Sequence, residues 1–274
     1  MDFKVSEKCN KCGLCVDDCP SMIIEMLDGG LPSIRADKEK LCVQCQHCLA
    51  VCPTGAVSIF GRKPEDSITL KPGMFPDVES MSTFIRGRRS IRRYKDENVD
   101  RVLLKQILAA VSNAPSGVNA RQLTFNVIDD KDVMKAIRDK VHAALDKAGA
   151  DGKIPESALY LKNAVPMFRD SGRDLLFRGA PHALIVTTPF KKPCPAEDVI
   201  ISLSYFELLA QSASLGTVWW GMLKMLLETL PELKPLFGVK PGQAYYAMLF
   251  GNPSVRHART VQRDEAAQVR RVTI

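Results

Sequence analysis

Cys9-x-x-Cys12-x-x-Cys15-x-x-x-Cys19-Pro20 and Cys42-x-x-Cys45-x-x-Cys48-x-x-x-Cys52-Pro53 write one pattern twice, and they use eight of the chain's nine cysteines. Three thiols on one tight turn can close round a single iron–sulfur cubane. The fourth, three residues on and followed by proline, is carried away from it. Zinc is the competing reading of paired C-x-x-C units. It needs only four ligands per ion, which leaves the third cysteine and the proline-trailed fourth of each run unexplained. Disulfides are weaker still. Met1-Asp2-Phe3-Lys4 does not open a signal peptide, so a reducing compartment, the cytoplasm, is expected. The spacing predicts [4Fe–4S] clusters.

The two runs resemble those of bacterial ferredoxins that hold two [4Fe–4S] clusters. That resemblance implies crossed ligation, with one cluster on Cys9, Cys12, Cys15 and Cys52 and the second on Cys42, Cys45, Cys48 and Cys19. Ile23, Ile24, Met26 and Ile34 are candidate strand and core residues between the runs. Val57-Ser58-Ile59 is a candidate closing strand that mirrors Met22-Ile23-Ile24, as a duplicated half-domain requires. Residues 1–62 are therefore read as a ferredoxin-like domain. Residues 63–77, with Pro64, Pro72, Gly73 and Pro76, carry no periodicity and read as a linker. His47 reads as exposed rather than ligating, and Cys194, between Pro193 and Pro195, as an ordinary loop thiol.

The bulk properties are those of a globular chain, with 46% hydrophobic and 25% charged residues. No apolar run reaches the roughly 18–20 residues of a membrane helix, so no membrane is expected. The net charge of +7 falls outside the cysteine-rich part, where eight Lys/Arg cancel eight Asp/Glu over residues 1–63. A basic larger part invites a nucleic-acid reading. The arginines, however, gather at a few motif positions rather than in long basic runs. A site for phosphate-bearing small molecules accounts for them better, and no nucleic acid is expected.

Residues 78–274 read as a second domain. Asp77 is placed to cap a helix through Val78, Met81, Phe84 and Ile85, and Asn98 to open a second with Leu103, Leu104, Ile107, Leu108 and Val111 at helical spacing. Leu123–Ile128 reads as a strand and Asp130 to about Ala148 as a third helix. Residues 149–180, studded with glycine and proline, read as a long lid-like loop. A buried strand at Ala183–Thr187, an apolar helix from Asp198 to Leu215 and a strand at Ala244–Phe250 follow. Gln268–Ile274 alternates apolar and polar residues, as a half-buried strand does.

From Arg88-Arg89-Ser90-Ile91-Arg92 onward the chain resembles the nitroreductase family of FMN enzymes. Ala114-Pro115-Ser116-Gly117-x-Asn119, Leu215-Gly216-Thr217-x-Trp219-Trp220-Gly221 and Gly251-Asn252-Pro253-x-x-Arg256-x-x-Arg259 follow in the family's order. With the clusters in front, the chain looks like the ferredoxin-fused branch. The resemblance implies an α+β fold: a two-[4Fe–4S] ferredoxin-like domain, then an FMN domain built on a central mixed, mainly antiparallel sheet. It implies that Arg88, Arg89, Ser90, Arg256 and Arg259 hold the FMN phosphate, for which arginine forks are suited. Arg92 would point toward the N1–O2 edge of the ring. Pro115, Ser116 and Asn119 would lie against a flavin bound mainly by the other subunit of a homodimer, and Trp220-Gly221 would face N5. The usual Asn-x-Gln-Pro-Trp becomes Asn119-Ala120-Arg121-Gln122-Leu123, so Asn119 carries over more safely than Gln122. FMN is then the reactive centre and no side chain need be catalytic. Trp219 reads as an aromatic core contact.

No G-x-G-x-x-G follows a strand, so no Rossmann nicotinamide domain is present. Reduced ferredoxin and NAD(P)H both stay open as donors. The expected function is passage of electrons from two clusters to FMN and on to a small electrophile such as a nitro compound or quinone. The alternative is an electron-transfer flavoprotein that relays electrons to a protein partner and has no small-molecule substrate of its own.

Overall fold

The computed structural model describes residues 1–191, 193–263 and 267–274. The chain divides into two compact units, Met1–Pro76 with Val118–Ala120, and Asp77–Gly117 with Arg121–Ile274.

The first unit is built by repetition. Strand β1 (Phe3–Val5) pairs antiparallel with β4 (Val57–Ile59), and β2 (Ile24–Met26) with β3 (Pro32–Ile34). Two one-turn helices, α1 (Leu14–Asp17) and α2 (His47–Ala50), each begin inside a cysteine run. Just ahead of each helix the backbone enters the left-handed region twice, at Lys11 and Gly13 in the first copy and at Gln44 and Gln46 in the second. Gly13 takes that conformation without steric cost, whereas Gln46, with a side chain, must be held there by its surroundings. Ile23, Val57 and Ile59 are buried between the halves with Leu49, Cys15 and Cys48.

The second unit layers helices on both faces of one sheet. Its strands β5 (Thr124–Ile128), β6 (His182–Pro189), β7 (Gly216–Trp219) and β8 (Gln243–Gly251) lie in the order β5-β6-β8-β7, every neighbouring pair antiparallel. The parallel component of the expected mixed sheet is a bridge between Ser90 and Thr217. Successive strand residues face opposite ways. On β6 and β8, Ala183, Ile185, Ala247 and Leu249 therefore join one core while Leu184, Val186, Met248 and Phe250 join the other. Burial on both faces explains why these strands read as unbroken apolar runs. Truncating a side chain such as Phe250, which is fully buried, costs ~3–5 kcal/mol.

One face is covered by α4 (Arg101–Val111) and α7 (Pro195–Ser212), the other by α5 (Lys131–Ala150), α6 (Leu159–Ser171) and α8 (Gly221–Thr229). Helix α3 (Val78–Gly87) has no buried residue. Its start is fixed by Asp77, whose side chain accepts from Ser80 N at 2.6 Å.

Three expectations change. Asn98 does not cap α4: Asp100 does, accepting from Val102 N at 2.6 Å, while Asn98 Oδ1 accepts from Lys131 N at 2.8 Å. The supposed lid at 149–180 is largely helical, because Leu161 and Ala164 recur at helical spacing and pack fully buried, and α6 tolerates Pro166 within it. Gln268–Ile274 is not a strand within this chain. Its apolar residues Val269, Val272 and Ile274 are exposed.

Candidate functional site

In the first unit, Cys9, Cys12, Cys15 and Cys52 line one cavity with Gly13, Thr54 and Val57. Burial raises the Cys15 thiol above its ordinary value, and the nearby thiols of Cys52, Cys9 and Cys12 push the same way. Burial likewise pushes Cys48 up to about 11, and its thiol neighbours are Cys45, Cys19 and Cys42. The eight thiols thus stand in two sets of four, each made of three from one run and the fourth of the other. For Cys52 burial is outweighed by hydrogen bonds, chiefly from Ala56 N at 3.2 Å, and the thiol is lowered. The two copies repeat one amide-to-sulfur contact, Lys11 N to Cys9 Sγ and Gln44 N to Cys42 Sγ, each 3.4 Å.

Among the described residues no three His, Cys, Asp or Glu side chains converge closely enough to hold a single metal ion. Buried thiols ionise readily beside a metal, and bound clusters held by these eight cysteines would supply that charge. His47 lies outside both sets and meets Asp18 Oδ2 through Nδ1 at 3.2 Å.

In the second unit, the arginine turn is clamped on two sides. Ile91 N donates to Thr217 O of β7 at 2.8 Å. Lys95 N donates to Asn252 O at 2.9 Å and Ser254 N to Arg93 O at 3.1 Å, which draws the segment after β8 onto the turn. Two glycines permit this. A Cβ on Gly216 would sit 2.7 Å from Ile91 Cγ2, and one on Gly251 would sit 2.7 Å from Pro181 Cγ. The clamp brings Arg89 and Arg256 to one cavity of ≈ 340 Å³, lined also by Gln211, Ser214, Gly216 and His257. Two guanidiniums from opposite ends of the unit's sequence suit a phosphate.

The other resemblance-based residues are distributed around this clamp. Ser90 forms the parallel bridge with Thr217. Arg88 does not line the cavity and pairs with Glu207 on α7. Arg92 lines a second cavity, of ≈ 580 Å³. Arg259 is exposed and lines neither cavity. The Trp220 side chain is core: its indole donates to Leu176 O at 2.8 Å, and its ring packs on Phe177 and Phe237. Its own amide is taken by Ala247 O at 2.9 Å. The next amide, that of Gly221, begins α8 and has no intrahelical acceptor. A Cβ there would lie 3.0 Å from the Tyr246 hydroxyl, so glycine lets that side chain pack closely against the start of α8. Trp219 is half-buried and bonded to Glu207 Oε2 at 3.2 Å, not a simple core contact.

The Pro115–Asn119 loop is held from both ends. Gly117 N donates to Asp198 Oδ1 at 2.9 Å and Arg121 N to Ser116 Oγ at 3.0 Å. Pro115 is exposed. Val118, Asn119 and Arg121 all adopt positive φ, a strained conformation for the β-branched Val118. Asn119 groups with the first unit and donates through Nδ2 to Val43 O at 2.8 Å.

The nitroreductase family model matches residues 85–252, and that of a 4Fe-4S dicluster domain matches residues 8–56. An FMN reductase [NAD(P)H] of Bacillus subtilis is 28% identical over 184 residues, 62% of this chain and 65% of that protein. The chain therefore spans just under two-thirds of that relative's length. Among solved structures, a nitroreductase with bound FMN from Bacteroides fragilis aligns with a TM-score of 0.55 at 20% identity, over 69% of this chain and 97% of that one. An FMN-dependent nitroreductase from Clostridium difficile aligns with a TM-score of 0.52 at 18% identity, over 72% and 100%. At these identities the likeness is one of fold.

Proposed function

The chain belongs to the nitroreductase family and carries a 4Fe-4S dicluster ferredoxin domain at its N terminus, and from that premise we propose that it is an iron–sulfur flavoprotein oxidoreductase that binds two [4Fe–4S] clusters and FMN. In this reading residues 1–62 carry the clusters and residues 78–274 the flavin. Electrons enter from reduced ferredoxin or NAD(P)H, and the acceptor is a small electrophile such as a nitro compound or quinone.

The observation that carries the reading is the meeting of Arg89 and Arg256 at one cavity, in a fold where Gly221 is the first residue of α8. The guanidiniums hold the FMN phosphate and Ser90 fixes the turn that presents them. Arg92 supplies positive charge at the pyrimidine edge of the ring, and Gly221 offers a donor without a side chain in the way. The flavin, when bound, supplies the two-electron chemistry, and the protein supplies position and charge. Arg88, held by Glu207, stiffens the turn from behind. A substrate-sized cavity beside Arg92 favours an enzyme over a relay between proteins, which has no use for one.

A homodimer completes the proposal, with Pro115, Ser116 and Asn119 of one subunit serving the flavin of the other. Among the described residues no helix is long and apolar enough to cross a membrane, and a cytoplasmic location is part of the proposal. Anaerobic stopped-flow, with reduced ferredoxin, NADH and NADPH each mixed separately and followed at the flavin absorbance, tests the function. Bleaching by at least one donor, reversed by a nitroarene or quinone, is expected. Protein that holds FMN but is reoxidised only by a protein acceptor would establish the relay instead.

A further inference from the structure

The ≈ 580 Å³ cavity that Arg92 lines is walled by three further arginines, Arg93, Arg173 and Arg178, with Gly172, Gly179 and one carboxylate, Asp174. That carboxylate is already committed. Asp174 Oδ2 lies 3.0 Å from Arg138 Nε, which comes from α5 outside the lining, and the residue also caps the turn it belongs to. Its Oδ1 accepts from Phe177 N at 2.8 Å and its Oδ2 from Gly179 N at 3.1 Å. With its side chain 7% exposed, Asp174 serves to set the loop's shape and does not neutralise the arginines in front of it.

The loop is prearranged. Gly172, Arg178 and Gly179 all adopt positive φ, and the Asp174 bonds hold the turn between them. Arg178 Nη2 donates to Tyr160 Oη on α6 at 3.0 Å, which fixes the direction of that guanidinium. Leu176 O accepts the Trp220 indole, which ties the loop to the residue before α8. Four arginines lining one space repel each other and are unfavourable together without counter-charge. Planar guanidinium forks match carboxylate and phosphate oxygens.

We infer that this cavity receives a small molecule bearing at least two oxyanion charges, carboxylate or phosphate, and that the ligand reduced or oxidised at the flavin belongs to that class. The second half rests on the proposed flavin site, through Arg92, while the first rests on the four arginines that line the cavity. Two sources share the chemistry: a dicarboxylate electrophile, or a nucleotide with two phosphate groups.

Isothermal titration of the cluster- and FMN-loaded protein separates them, with the flavin spectrum read in parallel. The probes are 5-nitroisophthalate against its neutral diamide, and 2′,5′-ADP against adenosine. At least one of the two charged probes should bind about tenfold or more tightly than its neutral partner, the effect of one or two charge-assisted contacts. Binding should weaken as salt is raised, because the site is open to solvent. Arg173→Gln and Arg178→Gln should each remove most of that preference, with FMN content unchanged.

Preference for the dicarboxylate alone assigns an electrophile, and preference for 2′,5′-ADP alone assigns a nucleotide. Equal affinity of charged and neutral probes in the unaltered protein overturns the inference while leaving the flavin site standing. A dianion that binds without disturbing the flavin spectrum overturns the substrate assignment. Should Arg178→Gln lose its fold with Tyr160 unpaired, Arg173→Gln, on the exposed side of the loop, still decides. Protein that fails to hold FMN but prefers the dianion refutes the flavin reading and not the charged cavity.

Discussion

Arg88 Nη1 lies 3.0 Å from Glu207 Oε1, and the other oxygen of that carboxylate accepts the Trp219 indole at 3.2 Å. One turn further along α7, Gln211 Nε2 donates to Phe84 O. Helix α3 buries no side chain, so these polar bonds fasten its end. Replacing Glu207 by Ala leaves a guanidinium and an indole N–H without an acceptor in a half-buried place. A loss of about 2 kcal/mol is expected, read as a lower midpoint in denaturant. A midpoint unchanged from the parent would show that α3 is held by something else.

Arg89 and Arg256 share a cavity that Arg259 does not line. Arg89→Ala and Arg256→Ala should each weaken FMN binding about tenfold, the value of a charge-assisted hydrogen bond. Arg259→Ala should cost less. Equilibrium dialysis of FMN ranks the three, and equal losses would argue that a second subunit brings Arg259 to the phosphate.

Cys19 stands among Cys42, Cys45 and Cys48 rather than with its sequence neighbours. Cys19→Ser should remove the cluster of the second run and keep that of the first, with iron falling from about eight to about four per chain. Iron analysis with low-temperature paramagnetic resonance on the reduced protein reads it. Loss of the cluster held by Cys9, Cys12 and Cys15 instead would refute the crossing.

Two histidines set an acid limit on the second unit. His142 on α5 is stacked on Phe168 at 4.5 Å with neither ring nitrogen bonded, and burial holds its pKa below the ordinary value. His182 is also lowered, chiefly by burial, and its Nε2 accepts from Val99 N at 2.9 Å, a bond that protonation breaks. Between the folded and unfolded pKa values the unfolded chain binds more protons. Stability is therefore full above about pH 6.5 and declines as pH falls below it. Both tryptophans, Trp219 and Trp220, lie in this unit, so their fluorescence reports its melting alone. The drop between pH 7.5 and 5.5 should be smaller in His142→Phe than in the parent. An equal drop would exonerate His142.

The C-terminal tail tests the proposed dimer. Val269, Val272 and Ile274 are exposed in the single chain, as is α3 along Val78 and Ile85. Truncation after Arg259 should weaken the dimer and release FMN together, followed by sedimentation and flavin content. A monomeric product that keeps stoichiometric FMN would place the whole site in one chain.

What could be read from the sequence was whatever is local. Asp77 and Asp130 sit one residue before apolar helical spacing and cap α3 and α5, because a cap is a bond to a residue two or three places on. Asn98 was indistinguishable from a cap by type, and only the approach of Lys131 from another helix takes its oxygen away. Helix α6 was hidden by its own breakers, since Pro166 and the flanking glycines outweigh the spacing of Leu161 and Ala164 until packing against α5 is counted. At the site, the arginine turn announced itself by density of charge. Glu207 did not: a carboxylate in the apolar body of α7 looks like a solvated residue, and its partners Arg88 and Trp219 arrive from other elements. Arg173 and Arg178 were likewise lost in a segment read as loop. Their only sequence signal was two arginines bracketing an aspartate amid glycines.

The parallel bridge from Ser90 to Thr217 has a consequence for how the sheet can grow. Of the two outer strands, β7 is already flanked by Ser90, with Ile91 N bonded to Thr217 O. Among the described residues, strand β5 pairs only with β6. Outer strands are where added strands dock, so the sheet has a closed margin and an open berth. A strand donated from elsewhere would add at Thr124–Ile128, and the sheet would lengthen in one direction alone.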